Sequence, residues 1–433
     1  MYFIAKILAV LLLWIIPLST VQAQPEQLKD LLKEADSNNP SLQISHEQIA
    51  SAFHKIDQVK SLQDPVISVI LSNYPTDSFN TNQTAMTGNE IRLAQKFPFP
   101  GKLDTRGNIA NQKSQWFAAV YQDYRLQVRA QVKDAWYRLI FQRQAIELTN
   151  SNLQVLDDFI KMTEVRYEVG KGLQQDVLKA HLQRSLQLDK LLALSQQESA
   201  TLAELNSLAG RNTNQSLELG GQLDRDNNIF DLSTLQQQAE QKRPMFNAYA
   251  ALINQSKGQR ELARLDYKPD FTLWAGYRWR DDSLADGGAD FVSAGVSFNL
   301  PVRKKRRSAV VAEVDSSLRL AVQKRNEFRN QTHLDIHQAL TRFEHAGELA
   351  DLYQNGIIPQ ANQTFQATLS AYQVNQANFL DLLDSLMVVY RYKIDLIKTT
   401  SDQQRSMAKL AAAAGLDVDQ LSEKVSPYQR IKR

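Results

Sequence analysis

The sequence predicts a mainly α protein with a small β part, built as a tandem duplication of long antiparallel helices and four strands. Three observations carry this prediction. Residues 167–210 return without a gap as residues 372–415, with Tyr167 matching Tyr372, Val169 Val374, Asp176 Asp381, Leu178 Leu383, Leu205 Leu410 and Gly210 Gly415. Three proline pairs (Pro40 with Pro244, Pro65 with Pro269, Pro98 with Pro301) keep one order and one offset of about 204 residues, which marks an internal repeat. No proline interrupts the chain between Pro100 and Pro244, and Gln, Leu and Ala are abundant, which favours long helices.

The bulk properties exclude several classes. The formal net charge is +3 over 433 residues, a weak basis for nucleic-acid binding, so no nucleic-acid partner is expected. Without cysteine there can be no disulfide, thiolate metal site, cysteine nucleophile or acylated lipoprotein cysteine. Residues 1–23 read as a secretory signal: Lys6 gives the basic end, residues 7–18 the apolar core, and Val21, Gln22 and Ala23 the cleavage site. That apolar run is shorter than the roughly 20 residues of a spanning helix, and no later run reaches that length. The mature chain is expected to start near Gln24, and any membrane crossing must be made by strands.

Along the chain, Leu28, Leu31, Leu32 and Ala35 have helical spacing. Pro40 opens a second helix carrying Ile44, Ile49, Ala52, Ile56 and Val59, and Pro65 ends it. The second copy repeats this with Leu232, Leu235 and Ala239, then Pro244, Leu252, Ile253, Leu262, Leu265 and Pro269. Each middle proline precedes a hairpin, near 65–97 and near 269–300. In the last strand Val292, Ala294, Val296, Phe298 and Leu300 alternate with Ser293, Gly295, Ser297 and Asn299, a period-2 pattern with one apolar face. Aromatics near the strand ends suit an outer-membrane barrel. Four strands cannot close one, because the smallest membrane barrels have about eight. Several chains must then share a barrel, and three would supply twelve strands.

Residues 102–166 read as one helix of roughly 100 Å, turning near 169–172 and returning to Gly210. The second copy runs from Arg303 to about Ala371, turns near 375–378 and returns to Gly415, with a break expected at Gly356 and Pro359. Helices this long and polar must pair through narrow apolar seams, as coiled coils do. The layout is therefore a signal peptide (1–23), a first repeat (24–210), a connecting segment (211–233), a second repeat (234–415) and a polar tail (416–433).

Chemistry is sparse. His333, His337 and His345 could share a helix face, but no third ligand stands at convincing spacing, so they read as solvated helix residues rather than a metal site. The basic run 303–307 reads as a solvated helix start beneath a membrane rather than a lipid or phosphate site. No catalytic triad order, phosphate-cradling loop or paired-carboxylate cleft is present, so neither an enzyme nor a cofactor is expected. Asp381 and Asp384 lie three apart and share a helix face just after a turn. In a ring of chains that face would form an acidic constriction that selects or gates cations.

At these residues the sequence resembles the TolC family of outer-membrane efflux channels over nearly the whole mature chain. The resemblance rests on the duplication, on Tyr167, Val169 and Gly170 leading into Asp176–Ala180, and on Tyr372 and Val374 leading into Phe379–Asp384. It implies a homotrimer in the outer membrane, with a twelve-stranded β-barrel and a periplasmic α-barrel about 100 Å long. The implied partners are outer-membrane lipid, a periplasmic adaptor and an inner-membrane pump of the RND type. It implies a pore constriction at Asp381 and Asp384 and a closed-state latch between Asp176 and Tyr372. It also implies adaptor-contacting tips at Gly170, Lys171, Gly172 and Leu173 and at Asn375, Gln376, Ala377 and Asn378. An arginine used in some members is replaced here by Ala377, and the tip glycines Gly170 and Gly172 have no glycine counterpart in the second copy, where Asn375 and Ala377 stand. Residues 86–95 and 97–102 resemble the branch associated with heavy-metal cation efflux. A type I secretion duct and a periplasmic coiled-coil scaffold or adaptor are the alternatives.

Overall fold

The computed structural model describes residues 28–220 and 223–418. The expected signal peptide and most of the expected tail lie outside these residues. The first repeat contains α1 (Leu28–Asn38), α2 (Pro40–Lys60), β1 (Val66–Ser72), β2 (Gly88–Phe97), α3 (Lys102–Glu168) and α4 (Gln174–Leu208). The second contains α5 (Leu232–Lys242), α6 (Pro244–Leu265), β3 (Phe271–Trp279), β4 (Phe291–Phe298), α7 (Lys304–Leu352), a π-helical turn (Tyr353–Ile357), α8 (Ile358–Gln373) and α9 (Phe379–Ala414). No described helix is long and apolar enough to cross a membrane.

Local chemistry sets the boundaries. Pro40 and Pro244 occupy first-turn positions, where a missing N–H costs nothing. Asn39 caps α2 by accepting from the backbone N–H of Ser41 and Leu42 at 3.0 and 3.2 Å. α3 has 67 residues, which makes it about 100 Å long. α2 and α4 pack along it, and α6 packs between α3 and α7. The break expected at Gly356 and Pro359 takes the form of the π turn. Pro359 then sits in the first turn of α8, where its lost hydrogen bond is absorbed without ending the run.

Two cores repeat each other at mid-height. Leu31, Ala35, Val132, Trp136, Leu139, Leu205 and Ala209 form the first. Leu235, Ala239, Ile336, Leu340, Phe343, Leu410 and Ala414 form the second, each at the duplicated position. The connecting segment is irregular and packs against both, through Leu217 on one side and Phe230 on the other. Leu416 is buried, and Asp417 pairs with Lys133 and Arg129, so the first residues of the expected tail belong to the packed body. A third core at the far end, from Leu156, Phe159, Ile160, Ala180, Tyr372, Phe379, Leu382 and Leu386, joins the two helical hairpins.

The strands form one antiparallel sheet in the order β1-β2-β3-β4, and β2 paired with β3 joins the two repeats. Its outer strands, β1 and β4, have no further partner among the described residues.

Candidate functional site

The sheet register sorts the strand residues into two faces. Val69, Ile91, Tyr277 and Val292 are direct partners across the strands, as are Ile67, Leu93, Ala275 and Ala294. Leu273 pairs with Val296, and Phe97, Phe271 and Phe298 line up at one end. No charged residue occupies this face, yet its large side chains lie open, Val292 at 80% exposure. The opposite face holds Ser68, Glu90, Arg92, Lys96, Arg278 and Ser297. There Glu90 pairs with Arg92 at 2.8 Å, and Arg92 stacks on Trp274 at 4.3 Å. A charge-free apolar face backed by a charged one is the arrangement of a membrane strand with lipid outside and water inside.

At the far end the chain turns twice. In the first tip Lys171 N–H donates to the Arg166 carbonyl at 2.8 Å and Gly170 N–H to the Tyr167 carbonyl at 2.9 Å. In the second, Gln376 N–H donates to the Ala371 carbonyl at 2.8 Å and Asn375 N–H to the Tyr372 carbonyl at 3.2 Å. Both are Schellman turns. Gly170 has φ 73° and Asn375 has φ 63°. The lack of a tip glycine in the second copy therefore does not alter the turn, because asparagine tolerates the left-handed region. What differs is the return: Asn378 caps α9 by accepting from Asp381 N–H at 2.8 Å, while Leu173 gives α4 no side-chain cap. Gly170, Lys171, Leu173, Asn375, Gln376 and Asn378 are exposed, and Gly172 and Ala377 are half-buried.

Asp381 and Asp384 are both exposed, while Leu382, Leu383, Ser385 and Leu386 beside them are buried. The two carboxylates thus stand on the free face of α9. Tyr372 is buried against Phe379, with ring centres 6.1 Å apart. Burial pushes its hydroxyl pKa up; the nearby Arg166 opposes this and the Asp176 charge adds to it. The Asp176 charge is thus felt at Tyr372, but no hydrogen bond joins the expected latch pair among the described residues. The contact across the seam comes instead from Arg166. Its guanidinium lies 4.5 Å over the Tyr372 ring, and it donates to the Tyr372 carbonyl at 3.2 Å and to the Asn375 side chain. Sequence reasoning passed over Arg166; the one available signal was that the duplicated position holds Ala371.

The other candidates lie elsewhere. His333 Nε2 stands 3.0 Å from Glu240. No described group of three or more His, Cys, Asp or Glu residues is placed to hold a metal ion. Arg307 donates to the Asp266 carbonyl at 2.7 Å at the start of α7.

A duplicated helical body of about 100 Å, carrying a small sheet with a charge-free face, defines an outer-membrane channel protein. The model of the outer membrane efflux protein family matches residues 31–211 and 235–416, and the chain belongs to this family. Solved structures agree in fold. VceC from Vibrio cholerae is 19% identical, with a TM-score of 0.75 over 90% of this chain and 96% of that one. CmeC of Campylobacter jejuni is 15% identical, with a TM-score of 0.76 over 92% and 89%. CusC is 14% identical, with a TM-score of 0.77 over 90% and 92%. No curated protein matches the chain.

Proposed function

We propose that this chain is the protomer of a homotrimeric outer-membrane duct that passes cargo from an inner-membrane pump of the RND type, through a periplasmic adaptor, to the outside. The observation that carries the reading is the sheet: an apolar face for lipid, with the outer edges of β1 and β4 both unpaired among the described residues. Open edges are not tolerated in lipid, and three copies closing β4 on β1 give a twelve-stranded barrel. The helical hairpins continue as the periplasmic α-barrel. Its far end carries the adaptor-contacting tips, 169–172 with Leu173 and 375–378. Asp381 and Asp384 form the pore constriction there, and Asp176 and Tyr372 lie at the seam that holds the closed state. The chain divides into the repeats 24–210 and 234–415 around the connection 211–233. Heavy-metal cations are the proposed cargo, on the resemblance of residues 86–102; the duct itself is passive.

The test is conductance in planar bilayers with protein taken from the outer-membrane fraction. A trimeric, cation-preferring pore is expected, and replacing Asp381 and Asp384 with Ala should lower that preference. A soluble periplasmic monomer would replace the duct with a scaffold, and unchanged currents in the double variant would remove both carboxylates from the pore.

A further inference from the structure

We propose that Arg166 is a clasp that ties the second helical tip to the first and restrains opening of the periplasmic end. This rests on the duct reading above.

Arg166 lies in the last turn of α3, next to the first tip, and its guanidinium reaches across to the second tip in three contacts. One Nη donates to the carbonyl of Tyr372 in the last turn of α8, at 3.2 Å. The C-terminal carbonyls of a helix carry partial negative charge and favour a cation. The other Nη donates to the side-chain oxygen of Asn375. The guanidinium carbon lies over the Tyr372 ring, 4.5 Å from its centre. Such a combination needs a flat fork with two donors and a stacking face, which Arg has and Lys lacks.

The receiving turn is built to match. Asn375 takes the left-handed conformation that Gly170 takes in the first tip. Glycine would make that turn with less strain, but it would offer Arg166 no acceptor. Asparagine makes the turn and presents a carbonyl oxygen. The tie runs one way only, because the duplicated positions reverse the roles: Ala371 stands for Arg166, and Gly170 stands for Asn375. Each chain therefore carries one clasp, from first repeat to second. The hydroxyl of Tyr372 takes no part in it; the ring and the backbone carbonyl do.

That last point separates the clasp from a latch through Asp176. Bilayer conductance of the full trimer is compared for the wild type, R166A, R166K, N375G, Y372F and Y372L. The clasp predicts a several-fold rise in conductance for R166A and Y372L and smaller rises for R166K and N375G. It predicts wild-type behaviour for Y372F, which keeps ring and carbonyl. N375G keeps the turn, so it stands in for R166A should that variant fail to assemble. Wild-type conductance in R166A, or in N375G as its stand-in, overturns the clasp. Opening by Y372F to the level of R166A overturns it in favour of the hydroxyl latch.

A second measurement does not need current. The chain has no cysteine, so Lys171→Cys and Gln376→Cys can carry spin labels on the two tips, diluted with unlabelled chains. The clasp predicts a short, narrow distance distribution that broadens in R166A. An unchanged distribution overturns the clasp whatever the currents show. Absence of any wild-type pore overturns the duct reading, while tips that still separate in R166A would keep the clasp as a tie between hairpins.

Discussion

Arg243 Nε donates to Asp123 at 3.1 Å with both side chains buried, joining the start of α6 to the first third of the first repeat's long helix. Arg243 also donates to Thr332 at 3.2 Å and stacks on Phe328 at 4.7 Å. In the first repeat the same position is the capping residue Asn39. The duplication has thus kept the helix junction and changed its occupant from a cap to a cross-repeat ion pair. Removing one partner of a buried pair leaves the other charge stranded, at a cost of about 3–5 kcal/mol. R243A should lower the thermal unfolding midpoint in detergent strongly. R243M combined with D123L should lose less than R243A alone, because no charge is then stranded.

Three glycines with nearly the same φ should respond differently to alanine. Gly170, Gly210 and Gly415 have φ of 73°, 72° and 75°. A methyl group on Gly415 would meet the Arg243 backbone at 2.4 Å, and one on Gly210 would meet the Asn38 carbonyl at 2.5 Å. On Gly170 it would meet nothing within 4 Å. G170A should therefore cost only the left-handed strain, about 1–2 kcal/mol. G415A and G210A add a collision with backbone that cannot swing aside. Unfolding midpoints of the three variants check the order, and equal losses would show that the helix junctions yield.

Much of this fold could be read from the sequence, for physical reasons. A strand side alternates every residue, so Val292, Val296 and Phe298 announced one face before their partners Tyr277, Leu273 and Phe271 were known. Duplicated cores were equally plain, since Leu31 and Leu235 must fill the same space. Geometry that survives a change of residue was not legible. Asn375 makes the turn of Gly170 with a different side chain, so comparing letters suggested a difference that the backbone does not have. Contacts between distant segments were also hidden: Arg166 and Tyr372 lie 206 residues apart, and neither motif names the other. The π turn shows a further limit, because Gly356 and Pro359 announce a break but not its form.

The two faces of β4 give a paired test. Val296 belongs to the charge-free face and Ser297 to the face shared with Arg92 and Lys96. Arginine on the lipid side of a barrel costs about 2–4 kcal/mol near mid-membrane, whereas lumen substitutions alter conduction. V296R should therefore reduce the trimer recovered from the outer membrane, and S297R should insert and change single-channel current. Equal recovery of both variants would place the sheet outside lipid.

Two carboxylates should make the helical body acid-sensitive. Burial works to raise the Asp417 carboxyl, but Lys133 at 2.6 Å and Arg129 at 2.8 Å outweigh it and hold the pKa below its ordinary value. Asp134 is the same case, with burial opposed by Arg405 at 3.0 Å and Lys409 at 3.2 Å. In the unfolded chain both titrate near the usual aspartate value of about 3.9. Since the folded values lie lower, the stabilisation is present above the unfolded value and is lost as pH falls through the folded one. The unfolding midpoint should be nearly flat above about pH 5 and fall steeply below about pH 4. D417N should lower the midpoint at neutral pH, because Lys133 is buried and loses its closest anion. The same variant should show a shallower acid decline, because one of the two titrating groups is gone. A D417N curve parallel to the wild type across the acid range would assign the sensitivity to other carboxylates.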